Sequence, residues 1–100
     1  MTSVWTWGGT YFGQLEVDNL WTHDGKHVGK LHGEEIFDQD GKYLGELRND
    51  NRLITNLSKK LWRGPGFTPY ANRVGHVPYV NYVGYVMYVG YEDFPSPDKF

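Results

Sequence analysis

Short stretches of alternating apolar and polar residues fill the first half of the chain. "KYLGEL" (42–47) and "LWTH" (20–23) are examples, and polar triplets such as "VDN" (17–19) and "GEE" (33–35) separate them. A two-residue period is typical of half-buried β-strands, and no segment shows the 3.6-residue period of an amphipathic helix. The pattern therefore predicts an all-β fold, an antiparallel meander of short hairpins.

These strands recur in a sixteen-residue repeat. Three blocks align without a gap: "GTYFGQLEVDNLWTHD" (9–24), "GKHVGKLHGEEIFDQD" (25–40) and "GKYLGELRNDNRLITN" (41–56). Asp24-Gly25 and Asp40-Gly41 end two of the hairpins, and Asp-Gly between alternating segments is typical of a type I′ turn. A glycine lies inside the first strand of every block, which predicts a repeated bend and a sheet curled into a shallow barrel or radial array.

A different period governs "VPYVNYVGYVMYVGY" (77–91), where Val and Tyr each recur every third residue. On a continuous strand, residues three apart fall on opposite faces, so both faces would be apolar. Such a strand is expected to be enclosed by protein or pressed against a second subunit. We therefore predict that Tyr82, Tyr85 and Tyr88 form a subunit interface.

The segment "YVGYV" (82–86) also shares its form with "YLGEL" (43–47), with Tyr85 in the place of Glu46. We accordingly predict closing strands over 74–94 that supply the last unit of the repeat. The expected organisation is one domain over 1–94, with a flexible tail at 95–100.

Composition narrows the functional classes. The chain has 100 residues, no cysteine, a net charge of -2, thirteen glycines, eight tyrosines and four tryptophans. One hundred residues suit a single domain, and the absence of cysteine excludes disulfides and thiolate metal sites. The charge balance gives no field that would attract DNA or RNA. With no basic leader or long apolar run, we expect a cytoplasmic protein without membrane contact.

Catalysis and metal binding receive little support from the motifs. The three serines lie in no nucleophile turn, and the adjacent carboxylates Glu34-Glu35 and Glu92-Asp93 would point to opposite faces of a strand. His23 and His27 flank a hairpin turn, and "DQDGK" (38–42) lacks the remaining ligands of a calcium loop. We predict a protein that is not an enzyme and has neither a metal site nor a cofactor.

The loop over 57–73 is the candidate binding site. It combines cations, glycines whose N–H groups could form an anion-holding nest, and rings on which a base or sugar could stack. The predicted ligand-binding residues are Lys59, Lys60, Trp62, Arg63, Gly64, Gly66, Phe67, Tyr70 and Arg73. The alternative interpretation is a solvated connector whose rings anchor it to the barrel.

We therefore predict a non-catalytic binding module that captures a small ring-bearing anion, such as a nucleotide, and acts as a homo-oligomer. Two alternatives stay open. One is a carbohydrate or cell-envelope binding module that uses the same rings. The other is a structural or assembly domain without a small ligand.

The three repeat blocks, followed by "RGPGFTPYANRVG" (63–75) and "YVNYVGYVMYVGYEDF" (79–94), resemble the four-fold β-flower domain family. The resemblance covers Gly8 to Phe94. It implies β-hairpins that radiate like petals about a pseudo-fourfold axis. The family has no established activity, so the resemblance implies no catalytic or binding residues.

Overall fold

A computed structural model describes all 100 residues. Its strands are β1 (Thr2–Thr6), β2 (Tyr11–Glu16), β3 (Asn19–Thr22), β4 (His27–His32), β5 (Glu35–Phe37), β6 (Tyr43–Arg48), β7 (Arg52–Asn56) and β8 (Tyr91–Asp93). Strands adjacent in sequence pair antiparallel, which confirms the predicted meander. Two short 3-10 helices, Leu57–Lys59 and Pro97–Lys99, are the only helical segments, and neither has the length or apolar character to cross a membrane.

A parallel pair closes the sheet. β1 runs alongside β7 with Trp5 opposite Arg52 and Thr6 opposite Leu53, so β1 to β7 form a closed barrel. β8 pairs with the remaining part of the same β7 edge, from Ile54 to Asn56. The meander pattern alone did not predict this mixed closure.

Glycines bend the first strands of the repeats as predicted. Gly13, Gly29 and Gly45 pair with apolar residues of the neighbouring strands, and a register shift directly follows each of those pairs. At Gly45, a Cβ atom would lie 2.5 Å from the Phe94 ring. The glycines therefore supply both the bulge and the room for the core, whose buried residues are Val4, Phe12, Leu15, Leu20, Ile36, Leu53 and Phe94.

Three equivalent turns cap one end of the barrel: the first turn (6–10), the second turn (22–26) and the third turn (38–42). In the second, Gly25 N–H donates to Thr22 O at 3.0 Å and Thr22 N–H donates to Lys26 O at 2.9 Å. Gly25 has φ +93°, whereas Asp24 is not in the positive-φ region. The type I′ prediction is therefore wrong: the longer loop forms a type I turn followed by a glycine bulge, so only glycine needs positive φ.

The third repeat block is one residue longer than the gapless alignment implies. Its hairpin pairs Arg48 with Arg52, leaving three residues in the turn, whereas Glu16 pairs with Asn19 in the first block. Asn49 and Asp50 both adopt positive φ, at 50° and 67°. Asn and Asp tolerate that conformation. Because of the extra residue, Leu53 takes the core position that the gapless alignment assigns to Arg52.

Residues 62–89, which we call the strap, cross the three capping turns in the order third, second, first. They form no strand and make no backbone hydrogen bond among themselves. Each turn instead receives two strap N–H groups three residues apart, at 2.8 to 3.1 Å: Gly64 and Phe67 to Gly41 and Gln39, Arg73 and His76 to Gly25 and His23, Tyr82 and Tyr85 to Gly9 and Trp7. The prediction of closing strands over 74–94 is therefore wrong except for β8.

The strap has a nine-residue repeat in step with the barrel. "GFTPYANRV" (66–74), "GHVPYVNYV" (75–83) and "GYVMYVGYE" (84–92) align. The first block bonds to the third and second turns, the second block to the second and first turns, and the third block to the first turn. An extended chain without internal hydrogen bonds and with three residues per turn is polyproline-II-like. That geometry has three faces, which explains the three-residue period that neither strand nor helix could.

The tyrosines of the strap face the barrel. Tyr82 stacks on Trp5 with ring centroids 3.8 Å apart, and Tyr85 and Tyr88 lie 4.8 and 5.2 Å from Trp7. These predicted interface residues thus have a partner within the chain. Their rings seat the strap on the barrel, and the apolar row that points outward consists of valines.

The strand that adds to the three repeat blocks is β1, which precedes them in the chain. Val4, Trp5 and Thr6 occupy the places that Leu20, Trp21 and Thr22 hold one repeat later, as the matching glycine pairs and turn hydrogen bonds show. The prediction that residues after the loop supply the last unit is therefore wrong. The strap cannot do so because the barrel turns already hold its N–H groups.

Residues 95–100 are packed, contrary to the predicted flexible tail. Pro97 is buried, and the Phe100 ring lies 5.6 Å from Phe12 and 6.4 Å from Phe94. Burial of these rings accounts for the order of the segment.

Candidate functional site

The predicted cations of the loop do not converge on one anion site. Lys59 Nζ lies 3.0 Å from both Glu35 and Glu46 carboxylates, and Lys60 Nζ lies 2.7 Å from Glu92. Arg73 pairs with Glu16 at the second turn. Arg63 makes no ion pair. Three of the four cations are therefore already compensated by carboxylates, at two separate places.

The predicted nest of glycine N–H groups faces the barrel. Gly64 N–H donates to Gly41 O at 2.8 Å and Phe67 N–H donates to Gln39 O at 3.1 Å. At Gly66 a Cβ atom would lie 2.4 Å from Gln39 O, so glycine permits this close approach. Gly64 and Gly66 therefore let the strap backbone pack closely on the third turn, in line with the alternative interpretation of the loop as an anchored connector.

A buried charge cluster lies under the start of the strap. Glu46, which is 1 % exposed, accepts hydrogen bonds from Tyr43 Oη at 2.9 Å and Lys59 Nζ at 3.0 Å, and from the Arg48 guanidinium at 3.2 and 3.3 Å. Burial alone would raise the pKa of Glu46, but the hydrogen bonds from Lys59, Tyr43 and Arg48 outweigh it and lower that pKa. The carboxylate is thus fully compensated and stabilises the fold instead of acting as a free base.

Trp62 belongs to this same region. Its ring lies 4.8 Å from Lys59 Nζ and 6.4 Å from the Tyr43 ring. The structure therefore places Lys59, Lys60 and Trp62 together near β6 and β8, apart from the rest of the predicted site.

The other predicted residues meet at the second turn. Phe67 and Tyr70 pack on His27 with ring centroids 4.7 and 5.2 Å apart, and His27 stacks on Trp21 at 5.0 Å and 22°. The Arg73 guanidinium lies 3.6 Å above the Trp21 ring. Strap and barrel residues thus form one cluster of stacked planar groups.

At the other two turns, the strap covers the ring that corresponds to Trp21. At the first turn, Tyr82 covers Trp5, whose Nε1–H donates to Val80 O at 3.0 Å. At the third turn, Gly64 lies directly against the Phe37 ring. Trp5, Trp21 and Phe37 are the equivalent rings of the three turns, and only Trp21 is covered by a cation, Arg73.

Two buried donors at the second turn have no partner. His27 is 7 % exposed, and its Nδ1 accepts the Tyr70 N–H at 3.1 Å, which assigns the ring proton to Nε2. That Nε2 has no hydrogen-bond partner, and neither has Trp21 Nε1. Burial lowers the pKa of His27, and this outweighs an opposing contribution from the Gly29 backbone; the charges of Lys30 and Arg73 lower it further, which favours the neutral ring.

Open space adjoins the cluster on two sides. A shallow cleft of about 580 Å³ is lined by residues that include Trp21, Tyr70 and Arg73. A second hollow of about 340 Å³ is lined by residues that include Lys26 and His27. We call the larger space the second-turn cleft. Glu16 fixes Arg73 at its edge through two hydrogen bonds of 2.9 and 3.0 Å.

A family model described as "4-fold beta flower protein" matches residues 1–78. The chain belongs to the 4-fold β-flower family. The match covers the barrel of this β-flower protein and the strap as far as Pro78, so the later strap residues lie beyond it. No curated protein and no solved structure matches the chain. Membership confirms the predicted family and fold and assigns no activity.

Sequence reasoning missed the barrel half of this β-flower site. Glu16 and Trp21 line the cleft and His27 lines the smaller hollow beside it. Glu16 and Trp21 were interpreted as strand residues, and His27 as a residue that flanks a hairpin turn. One signal was available: the third position of the blocks is Tyr11, His27 or Tyr43, and only the second block substitutes a histidine. A departure from an internal repeat marks the place where the repeated packing changes.

Proposed function

We propose that this β-flower protein is a non-catalytic module that binds a small ring-bearing anion, such as a nucleotide, in the second-turn cleft. The observation that carries the proposal is the departure of this turn from its two counterparts. Here, three of the predicted ligand-binding residues, Phe67, Tyr70 and Arg73, meet Trp21 and His27 beside open space.

The ring of the ligand would stack on Tyr70. That side chain is exposed although its ring plane lies within 5° of Trp21 and 18° of His27. A flat, exposed face backed by further rings is the surface that a base uses, and stacking contributes about 1 to 3 kcal/mol per base.

The anionic group would be held by Arg73. Glu16 takes one N–H from each of its two Nη atoms, and a guanidinium has five N–H donors in all. Planar, fork-shaped donors suit phosphate and carboxylate groups. Glu16 orients the guanidinium, and the remaining donors serve the ligand.

Glu16 and His27, the carboxylate and the imidazole at the cluster, favour binding over catalysis. Glu16 is engaged by Arg73, which lowers its pKa through their hydrogen bonds. His27 is buried and neutral, with its Nδ1 occupied by the strap. Neither group is placed as a free acid or base at the cleft.

Thermal unfolding with a panel of nucleotides and nucleosides tests the proposal. A ligand at 100 times its Kd should stabilise the protein by about 2.7 kcal/mol. Tyr70→Ala should leave the fold intact, because the side chain is exposed, and should weaken binding roughly 5- to 150-fold, as expected for a lost stacking contact of about 1 to 3 kcal/mol.

Trp62→Ala is the matched control, since Trp62 is another half-exposed strap ring that lies outside the cleft. It should bind as the wild type does. A panel without any stabilising member would refute the proposal. Equal losses in Tyr70→Ala and Trp62→Ala would place the ligand elsewhere and refute the cleft.

A further inference from the structure

Three equivalent cross-strand pairs of polar residues occur around the barrel. The pairs, each sixteen residues after the one before, are Ser3 with Gln14, Asn19 with Lys30, and Glu35 with Glu46. Residues directly opposite one another on antiparallel strands project from the same face, with Cβ atoms about 5 Å apart. Each pair can therefore act on a single group that lies over it.

The third pair is acidic and binds a cation of the chain. Lys59 Nζ donates to the carboxylates of both Glu35 and Glu46 at 3.0 Å. Tyr43 Oη adds a further hydrogen bond to Glu46 at 2.9 Å. Acceptors and donors at this position therefore match each other within the protein.

The second pair has the opposite chemistry. Lys30 makes no ion pair with any carboxylate of the chain, and its partner Asn19 has an amide that can donate as well as accept. His27 takes the place that Tyr43 has in the next repeat, and its Nε2–H has no acceptor although the residue is only 7 % exposed. Donors and positive charge thus collect here without an acceptor from the protein, which suits an anionic ligand.

The Asn19–Lys30 pair adjoins the second-turn cleft. Asn19 lines that cleft together with Glu16 and Arg73. Glu16 is opposite Asn19 on one neighbouring strand, and Lys30 is opposite it on the other. Because adjacent strands lie about 4.8 Å apart, the guanidinium that Glu16 fixes and the Lys30 ammonium flank the space over Asn19.

We propose that Lys30 is a further ligand-binding residue and that the ligand of the cleft carries a single phosphate, held over Asn19 by Lys30 and Arg73. The inference rests on the proposed function, because it uses the same cleft and the same stacking face on Tyr70. A phosphate suits donors that approach from two sides and from below, since it has three acceptor oxygens that point in different directions.

Charge limits the ligand to one phosphate. Glu16 and Arg73 are the charged residues that line the cleft, and they compensate each other. Lys30 leaves one positive charge in excess, which nearly balances a phosphate monoester of about −1.5 to −2. Each further phosphate would add negative charge that no cation of the cleft compensates. The ligand class is therefore a nucleoside monophosphate.

The number of phosphates is the first test. The probes are adenosine, guanosine, cytidine and uridine, each as the nucleoside, the 5′-monophosphate and the 5′-triphosphate, titrated into the protein in a calorimeter. For the base that binds, the monophosphate should bind about 10- to 100-fold more tightly than the nucleoside, as expected for hydrogen bonds to charged groups. The triphosphate should bind no more tightly than the monophosphate.

Variants of Lys30 test its contact with the phosphate. Lys30→Gln should fold normally, because the first repeat has Gln14 at this position. It should weaken monophosphate binding about 10-fold and leave nucleoside binding unchanged. Lys30→Arg keeps the charge and should retain most of the affinity. Lys42→Gln is the matched control and should bind as the wild type does, since Lys42 also makes no ion pair but lies in the third turn.

The outcomes separate this inference from the proposed function. If no probe binds, both are refuted. If nucleosides and monophosphates bind equally and Tyr70→Ala weakens both, the cleft binds rings and the phosphate site alone is refuted. An unchanged ratio of monophosphate to nucleoside affinity in Lys30→Gln would exclude the contact with Lys30. A triphosphate that binds about 10-fold more tightly than the monophosphate would overturn the limit to one phosphate.

Discussion

Gly25→Ala tests whether the contacts between strap and turn stabilise the fold. Gly25 has φ +93°, and a Cβ atom there would lie 2.0 Å from Arg73 O. Alanine must therefore adopt an unfavourable backbone conformation and push the strap away. Displacing the strap breaks the hydrogen bonds from Arg73 N–H to Gly25 O and from His76 N–H to His23 O, each 2.8 Å long.

The expected loss has two parts. An L-residue in the left-handed region costs roughly 1 to 2 kcal/mol. Two hydrogen bonds contribute about 1 kcal/mol each, and the guanidinium of Arg73 over Trp21 contributes about 0.5 to 1 kcal/mol. Gly25→Ala should therefore lower the free energy of unfolding by about 3 to 5 kcal/mol, a large fraction of the 5 to 15 kcal/mol usual for a domain.

Gly33→Ala separates the two parts. Gly33 also has positive φ, at 68°, but the atom nearest to an added Cβ is the flexible Glu35 carboxylate oxygen at 3.8 Å. Only the backbone cost applies, so this variant should lose about 1 to 2 kcal/mol. The difference of about 2 to 3 kcal/mol between the variants is the contribution of the strap contact.

Urea unfolding followed by tryptophan fluorescence measures both losses. Hydrogen exchange locates them, because the amides of Arg73 and His76 should lose protection in Gly25→Ala and keep it in Gly33→Ala. Equal free-energy losses with equal protection of these amides would refute the conclusion that the strap stabilises the barrel.

Two further changes probe the buried charges. Glu46→Gln should destabilise the protein at pH 7 by about 1 to 3 kcal/mol. Because the folded-state pKa of Glu46 is lowered, its contribution is present above the unfolded value near 4.3 and is lost as pH falls through the folded value. The urea-derived stability of the variant should therefore vary less than the wild type below pH 5, and parallel curves would contradict this. Arg52→Met removes donors to Trp7 O and Val83 O, at 3.1 and 2.9 Å, and should lower the free energy of unfolding by roughly 2 to 4 kcal/mol. An unchanged Tm would show that these two hydrogen bonds do not stabilise the fold.

The repeats were predictable because each is a local unit. Alternation, the internal glycines and the spacing of Asp-Gly pairs all act within about sixteen residues, so strands, bends and turn positions follow from the sequence. Errors arose where one residue mattered. The type of the second turn and the extra residue at Asn49 depend on single backbone conformations that Asp-Gly and Asn-Asp both permit.

The candidate site was half predictable. Phe67, Tyr70 and Arg73 stood out as rings and a cation in one loop, but Lys59 and Lys60 stood out equally. Only the fold distinguishes them, because it places the lysines among Glu35, Glu46 and Glu92 and holds Arg73 between Glu16 and Trp21 at the edge of the cleft. Partners distant in sequence decide which cation lies beside open space, and one sequence does not record those partners.

The sequence by itself determined a β meander of sixteen-residue units and the three-residue and nine-residue periods of the strap. Tertiary structure decided what the strap periods mean. A strand would have buried Val and Tyr on both faces, but the turn carbonyls at Gly41, Gly25 and Gly9 hold the strap N–H groups and fix a three-faced extended chain. Its tyrosines then cover barrel rings and its valines meet solvent. The strap cannot join a sheet, because the turns at one end of the barrel already accept its N–H groups.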